Sequence, residues 1–294
     1  MQAHDHSHNR GSSIPQLRIA LAVTFLILTF EALGGFFAHS LALLTDAAHM
    51  LTDVGAAALA LWAAGMAKRG PDKKRTYGYG RATILAALAN ATALLLIVGV
   101  IVYEAILRFS RPEAVDSTIM MAIGAASIIL NVALGWYLSR GESTLNVRAV
   151  IAHVAGDAVI SGAVVVAAIA ILFTRVAAID PAVSILAAIL VIRSAWDVLR
   201  ESLNVLLEGV PQGLDVDAMR SSLRRNLPIE DVHDVHVWCV TDGGVATSLH
   251  LRVAKAQLEG APDIVSRAKE LLHHEFDVTH ATVEIECTDC AAAC

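Results

Sequence analysis

The chain has 294 residues, of which 56% are hydrophobic and only 17% are charged, and its mean hydropathy is +0.60. Soluble domains average about 45–50% apolar and about 25% charged residues, so this composition predicts a membrane protein. The formal net charge of −6, without a basic stripe that carries aromatic residues, excludes nucleic acid as an expected partner.

Residues 1–13 form a polar, His-rich tail. They lack the pattern of a signal peptide, and the apolar run that follows is too long to be the apolar region of one. Two interpretations of this tail stay open, a disordered polar segment or a weak metal collector.

Six apolar stretches follow, each long enough to cross the hydrocarbon core, which takes about 20 residues. They lie at 17–38, 41–66, 82–103, 118–138, 145–173 and 176–199. The sixth carries Arg193 and Asp197 in its second half, and we expect this end to emerge among the lipid headgroups. Residues 14–208 are therefore predicted to form an all-α transmembrane domain of six helices.

The short connections carry Lys and Arg unevenly. Ten lie at the start of the first stretch or after the second and fourth, whereas the other side has only Arg108, Arg111 and Arg175. Because Lys and Arg accumulate in cytoplasmic connections, both termini are predicted to face the cytoplasm. The expected location is the inner or plasma membrane.

Residues 209–294 have the composition of a soluble domain, which this orientation places in the cytoplasm. Amphipathic helices are predicted at 215–226 and 262–276, and strands at 232–240, 245–254 and 282–287, with a turn at Asp242-Gly243-Gly244. The order α-β-β-α-β predicts a small α+β domain of the ferredoxin-like type.

The motif His-x-x-x-Asp occurs twice, as His49 with Asp53 in the second stretch and as His153 with Asp157 in the fifth. A spacing of four places both side chains on one helix face. An ionised Asp deep in a membrane is unfavourable by at least about 2.5 kcal/mol, so a functional site is expected. Two carboxylates and two neutral imidazoles suit tetrahedral Zn²⁺ and cancel its charge. The alternative is that each pair only holds helices together by hydrogen bonds.

Asp46 lies one turn before His49 on the same helix face. Two roles stay open for it, support of a metal ligand by a hydrogen bond or anchoring of the helix N-terminus.

The stretch Glu31-Ala-Leu-Gly-Gly, followed by Ser40-Leu-Ala-Leu-Leu-Thr-Asp46-Ala-Ala-His49-Met-Leu-Thr-Asp53, resembles the signature of the cation diffusion facilitator family. The resemblance covers nearly the whole chain. It implies that His49, Asp53, His153 and Asp157 form a transport site, and that the protein is a homodimer that exchanges divalent metal ions for protons. A His at the first position resembles the branch of the family that prefers zinc.

The resemblance also implies a binuclear metal site in the cytoplasmic domain, with His233, His250 and Glu286 as ligands. The predicted strands allow these three residues to meet at one sheet edge or at a dimer seam. The alternative is that they are solvated surface groups.

Two segments depart from the family pattern. Some relatives have a further metal site between the second and third spans, but residues 68–81 contain no His and a single acid, Asp72. This basic loop is expected to set the topology or to contact anionic lipid of the bilayer. In the tail, Cys287 and Cys290 have a spacing that suits Zn²⁺, although they supply only half of a four-thiolate site, and free thiols are the alternative.

The predicted function is therefore export of Zn²⁺, with Cd²⁺ and other divalent metals as further candidates, in exchange for protons by alternating access. One alternative is a membrane-bound sensor of divalent metal. Another is an intramembrane metalloenzyme, which the lack of His-Glu-x-x-His disfavours, so an enzyme is not expected. An ATP-driven pump is disfavoured because the sequence has no Gly-x-x-x-x-Gly-Lys loop.

Overall fold

A computed structural model describes residues 14–67, 69–140, 145–241 and 244–287. The predictions for the N-terminal tail, for Asp242 and Gly243 of the turn and for Cys290 fall outside these residues. Within them, six long helices come first: α1 (Ile14–Ala38), α2 (Leu41–Ala67), α3 (Arg81–Ser110), α4 (Ser117–Ser139), α5 (Leu145–Thr174) and α6 (Ile179–Leu206).

Two of these helices extend beyond the apolar stretches that predicted them. Helix α3 continues to Ser110 and contains an ion pair one turn apart, in which Arg108 Nε lies 3.6 Å from Glu104 Oε1. Helix α6 continues to Leu206 with Arg193 and Asp197 exposed on it. Charged side chains end an apolar stretch without ending the helix: those of α6 are exposed, and the buried Arg108 of α3 is paired with Glu104.

Five of the six helices contain a described stretch that is long and apolar enough to cross a membrane. Within its described residues, helix α2 is not among them, although it has 27 residues. It carries Asp46, His49 and Asp53, and these polar side chains lower its hydropathy. The span predicted for α2 therefore stays a prediction.

Contacts divide the chain into two compact units, one of which comprises the residues up to Ala58 together with Ala89–Asp197. Its helices approach closely at glycines. A Cβ atom on Gly34 of α1 would lie 2.6 Å from the Ile123 side chain of α4, and one on Gly124 of α4 would lie 2.9 Å from Val165 of α5. Small residues at such positions allow helix backbones to pack closely within a membrane.

The N-terminus of α2 is held by Asp180, a fully buried residue of α6. Its carboxylate accepts hydrogen bonds from Ser40 Oγ at 2.6 Å, from the Leu41 N–H at 2.8 Å and from the Ala42 N–H at 3.2 Å. Arg108 Nη1 lies 3.8 Å from the same carboxylate. These bonds satisfy N–H groups that have no partner inside the helix, and they fix the start of the helix that carries the first motif.

The second unit contains Leu59–Leu88 and the chain from Val198 onward. Its α+β part contains a three-stranded sheet in the order β1-β2-β3, in which β1 and β2 are antiparallel and β2 and β3 are parallel. The elements are α7 (Val216–Asn226), β1 (Asp231–Thr241), β2 (Gly244–Val253), a 3₁₀ helix (Lys255–Gly260), α8 (Ala261–Phe276) and β3 (Val278–Cys287). The ferredoxin-like assignment of this domain stays a prediction.

One face of the sheet is apolar and packs against α7 and α8. Leu249, Leu251 and Val253 alternate along β2 and are fully buried in this core. The residues between them point to the opposite face, which is where the predicted metal ligands lie. Strand β3 begins four residues earlier than predicted, because the exposed polar residues after Val278 conceal the alternating pattern.

Candidate metal centres

The two His-x-x-x-Asp motifs lie on α2 and α5 and face each other. His153 Nε2 lies 3.3 Å from Asp53 Oδ2 and 3.7 Å from Asp157 Oδ2. His49 Nε2 lies 3.7 Å from Asp53 Oδ2. The two imidazole rings are nearly perpendicular, with centroids 6.0 Å apart. The four predicted ligands thus form one continuous chain of contacts between two helices.

Each of these three separations is close to the spacing that a shared zinc ion would require, but no three of the four residues bring their ligand atoms within 4.8 Å of one another. Two ligand atoms about 2.0–2.1 Å from a tetrahedral zinc ion lie about 3.3 Å from each other. His49 Nδ1 is buried and has no hydrogen-bond partner within the described ranges. The motifs therefore leave a polar atom unused, which argues against a purely structural role as hydrogen-bonded pairs.

The ligands of the membrane site differ in exposure, and we call the side of the more exposed ligands the open side. The exposed fraction of the side chain is 42% for His153 and 30% for Asp53, but 4% for Asp157. Because Asp53 meets His153 while Asp46 accepts a hydrogen bond from Ser161 Oγ at 3.3 Å, α2 and α5 run antiparallel. The open side therefore lies toward the C-terminal part of α2 and the N-terminal part of α5.

Asp46 bonds to α5, and the start of α2 is capped by a different residue, Asp180. Of the two roles left open for Asp46, the structure therefore does not support anchoring of the helix N-terminus. The sequence did not reveal Asp180 as the cap, because 139 residues separate it from Leu41, whose N–H donates a hydrogen bond to it. No local pattern in the sequence connects the two.

The predicted ligands of the cytoplasmic domain come together on the polar face of its sheet. His233 of β1 and His250 of β2 are cross-strand partners, and their ring centroids are 5.5 Å apart. Glu286 of β3 places Oε2 2.9 Å from His233 Nε2 and Oε1 2.9 Å from His250 Nδ1. Among the described residues, this is the one group of three His, Cys, Asp or Glu side chains whose ligand atoms all lie within 4.8 Å of one another. The three span all strands instead of one edge, because β2 is central.

Acidic side chains surround this group and were not predicted. His250 Nε2 lies 3.5 Å from Asp234 Oδ2 and 3.6 Å from Glu284 Oε2. Asp234 has a φ of +47° where the register of β1 is irregular. Strict alternation would place Asp234 on the face opposite to His233, so the bulge makes this contact possible. Glu284 stands two residues before Glu286, and this alternation could have revealed it.

Glu286 is held in its charged form by its neighbours. The hydrogen bond with His250 and the nearby charges of His233 and Arg252 keep the pKa of Glu286 below its usual value. An ionised carboxylate between two imidazoles is a donor set that suits Zn²⁺.

The predicted metal-binding pair of cysteines in the tail is described only in part. Cys287 is a half-buried free thiol at the end of β3, paired in register with Val253, and metal binding by Cys287 with Cys290 stays a prediction.

Asp72, the acid of the basic loop, accepts hydrogen bonds from other residues of the same loop. Asp72 accepts hydrogen bonds from the Tyr79 hydroxyl and from the backbone N–H groups of Lys74 and Arg75, each at 2.7 Å. The bond from Tyr79 contributes most to keeping the pKa of Asp72 below its usual value.

Comparison with known proteins covers both parts of the chain. Residues 17–207 match the profile of the cation efflux transmembrane domain, and residues 211–287 match that of the cytoplasmic domain of cation efflux proteins. The chain is 42% identical to the zinc transporter ZitB of Yersinia pestis, over 96% of this chain and 90% of the relative. It is 39% identical to the metal cation efflux system protein CzcD of Cupriavidus metallidurans, over 99% and 92%. It is 36% identical to the cadmium, cobalt and zinc/H⁺-K⁺ antiporter of Bacillus subtilis, over 96% and 91%. The chain therefore belongs to the cation diffusion facilitator family of multi-pass membrane transporters, and it is not an enzyme.

Proposed function

We propose that the chain exports Zn²⁺ in exchange for protons, with His49, Asp53, His153 and Asp157 as the ligands of the transported ion. The supporting observation is the pair of facing motifs, whose nitrogen and oxygen atoms are 3.3–3.7 Å apart. Two carboxylates and two neutral imidazoles make a neutral complex with Zn²⁺, the form that a low dielectric favours. The names of the relatives support Zn²⁺ as substrate, with Cd²⁺ and Co²⁺ as further candidates.

Exchange for protons follows from the chemistry of these ligands. Imidazole and carboxylate must lose their protons to bind a metal, so protons arriving from the opposite side displace Zn²⁺. Alternating exposure of a single site is then sufficient for coupled transport. With six membrane spans and both termini in the cytoplasm, the open side of the site faces the cytoplasm. This arrangement supports loading of Zn²⁺ from the cytoplasmic side of an inner or plasma membrane.

The cytoplasmic domain, residues 209–294, is proposed to bind Zn²⁺ through His233, His250 and Glu286. Glu286 lies 2.9 Å from both histidines, so these three side chains would hold a metal ion together. Asp231 and Asp234 supply further oxygen ligands, since each carries a carboxylate oxygen within 3.8 Å of a histidine nitrogen of this group. The family resemblance supports a homodimer as the working form.

Flux into proteoliposomes tests the transport proposal. With a pH gradient, wild-type protein should move Zn²⁺ to a trapped indicator, whereas a sensor would move none. Asp157→Asn should reduce the flux at least about tenfold, because the loaded site then keeps an uncompensated charge that is unfavourable by at least about 2.5 kcal/mol. Asp197→Asn removes an exposed carboxylate of α6 and is the matched control. Equal flux from Asp157→Asn and the control would contradict the assignment.

A further inference from the structure

A pair of buried carboxyl groups lies on the closed side of the membrane site. Glu31 of α1 is 0% exposed and Asp46 of α2 is 2% exposed. Ser127 Oγ of α4 donates to Glu31 Oε1 at 2.6 Å, and Ser161 Oγ of α5 donates to Asp46 Oδ2 at 3.3 Å. Ala32 and Ala47, the residues that follow Glu31 and Asp46, pack in one apolar cluster, so the two carboxyl groups are neighbours. Four helices thus converge on two acids that no role proposed above uses.

Several polar atoms at this place have no partner. Glu31 Oε2, Asp46 Oδ1 and both amide atoms of Asn131 are buried without a hydrogen bond in the described part of the chain. Asn131 is 1% exposed and lies one turn after Ser127 on α4, so both side chains are on the helix face that meets Glu31. Unpaired buried polar groups are unfavourable, and three helices contribute them here, which indicates that something binds between them.

No described side chain brings positive charge to this place. No Lys, Arg or His among the described residues forms an ion pair with Glu31 or Asp46, and α4 contributes only Ser127 and Asn131. On α5, Asp157 lies one turn before Ser161, which bonds to Asp46, and Asp157 is itself acidic. Adjacent buried carboxylates repel each other and cannot both stay ionised. Two carboxylates also offer no donor, so a hydrogen bond between them requires a proton.

We propose that Glu31 and Asp46 form a proton-binding site, with Asn131 as its polar partner, that is separate from the metal ligands and is emptied when metal binds. The reason is electrostatic. Zn²⁺ bound at Asp157 brings positive charge close to the pair and favours its ionised form. By linkage, a proton on the pair disfavours Zn²⁺ by the same factor. The pair therefore adds to the protons exchanged for each metal ion, an inference that rests on the proposed function.

Counting protons tests this proposal. Zn²⁺ is added to purified full-length protein in weakly buffered detergent solution, and the protons released per bound ion are measured with a pH indicator. Glu31→Gln keeps the size of the side chain and its bond with Ser127, but it cannot ionise. We expect this variant to bind the same number of Zn²⁺ ions as wild type and to release roughly one proton fewer per chain. Glu113→Gln, which alters a carboxylate with a 51% exposed side chain, should release as many as wild type.

Infrared difference spectroscopy on the wild-type protein gives a second readout that needs no variant. Addition of Zn²⁺ should remove the carbonyl band of a protonated carboxylic acid, and Glu31→Gln or Asp46→Asn should weaken that loss. An unchanged proton count in Glu31→Gln, or no loss of the band in wild type, would overturn the proton site. Failure of the proposed transport function has a different signature, because wild-type protein would then move no Zn²⁺ at all.

Discussion

Substitution of Asp180 by Ala removes the side chain that fixes the start of α2. In the wild-type protein, its carboxylate accepts bonds from Ser40 Oγ and from the N–H groups of Leu41 and Ala42, at 2.6–3.2 Å. In Asp180→Ala, all three donors lose their acceptor, and all three residues are buried. Helix α2 carries His49 and Asp53, so we expect Asp180→Ala to reduce both the stability of the protein and its Zn²⁺ flux.

The size of the effect follows from the partners that remain. Loss of a capping side chain lowers the free energy of unfolding by about 0.5–2 kcal/mol. Breaking a buried ion pair lowers it by about 3–5 kcal/mol when the other charge is left alone. Arg108 is not left alone, because Glu113 Oε2 lies 3.0 Å from it and Glu104 Oε1 lies 3.6 Å from it. We therefore expect a total loss of about 2–3 kcal/mol.

The measurement is reversible unfolding in mixed detergent micelles, followed by circular dichroism. Glu113→Gln is the control, because it removes a partly exposed partner of the same Arg108 and should lower the free energy of unfolding by only about 0–1 kcal/mol. Equal losses in the two variants would refute the role of Asp180 as the cap of α2.

Three further predictions concern the metal sites and the basic loop. His250→Ala should lower the number of metal ions bound per chain in equilibrium dialysis and shift the metal dependence of transport without abolishing it, whereas the exposed His274→Ala should change neither. His49→Asp gives the membrane site a third carboxylate and should add Mn²⁺ flux in competition assays, because carboxylates suit harder ions; an unchanged ion ranking would contradict it. Tyr79→Phe removes the hydrogen bond that contributes most to the low pKa of Asp72, so this pKa should rise in a carboxyl NMR titration. The loop bonds of Asp72 stabilise the fold above its unfolded pKa and are lost as the pH falls through the lower folded pKa, and an unchanged titration would rule this out.

Local patterns in the sequence were sufficient for the helices and for each motif. A run of apolar residues predicts a membrane helix by itself, and a spacing of four puts His49 and Asp53 on one face of it. The contact between Asp53 and His153 joins two distant helices. It was nevertheless expected, because the two motifs together balance the charge of one Zn²⁺ ion and must meet to share it. Strand alternation was likewise sufficient to bring His233 and His250 together.

Contacts that depend on packing could not be predicted in this way. The bond between Asp180 and the start of α2 joins distant parts of the chain, and no periodicity relates them. Asp234 reaches the cytoplasmic group through a bulge, which reverses the side that alternation assigns to it. The bond between Glu31 and Ser127 joins α1 and α4, which pack closely at Gly34, where a larger residue would contact Ile123. A single sequence shows the glycine but not the helix it meets.

Exchange of Zn²⁺ for protons is tested most directly by recording proton movement during Zn²⁺ flux in one set of proteoliposomes. With an inward Zn²⁺ gradient, no imposed pH gradient and a pH indicator trapped inside, wild-type protein should raise the internal pH as protons leave against the entering metal. Asp157→Asn should abolish this change, and Asp197→Asn should preserve it. Entry of Zn²⁺ with a constant internal pH would contradict proton exchange, and an unaltered pH change in Asp157→Asn would contradict the role of the four ligands.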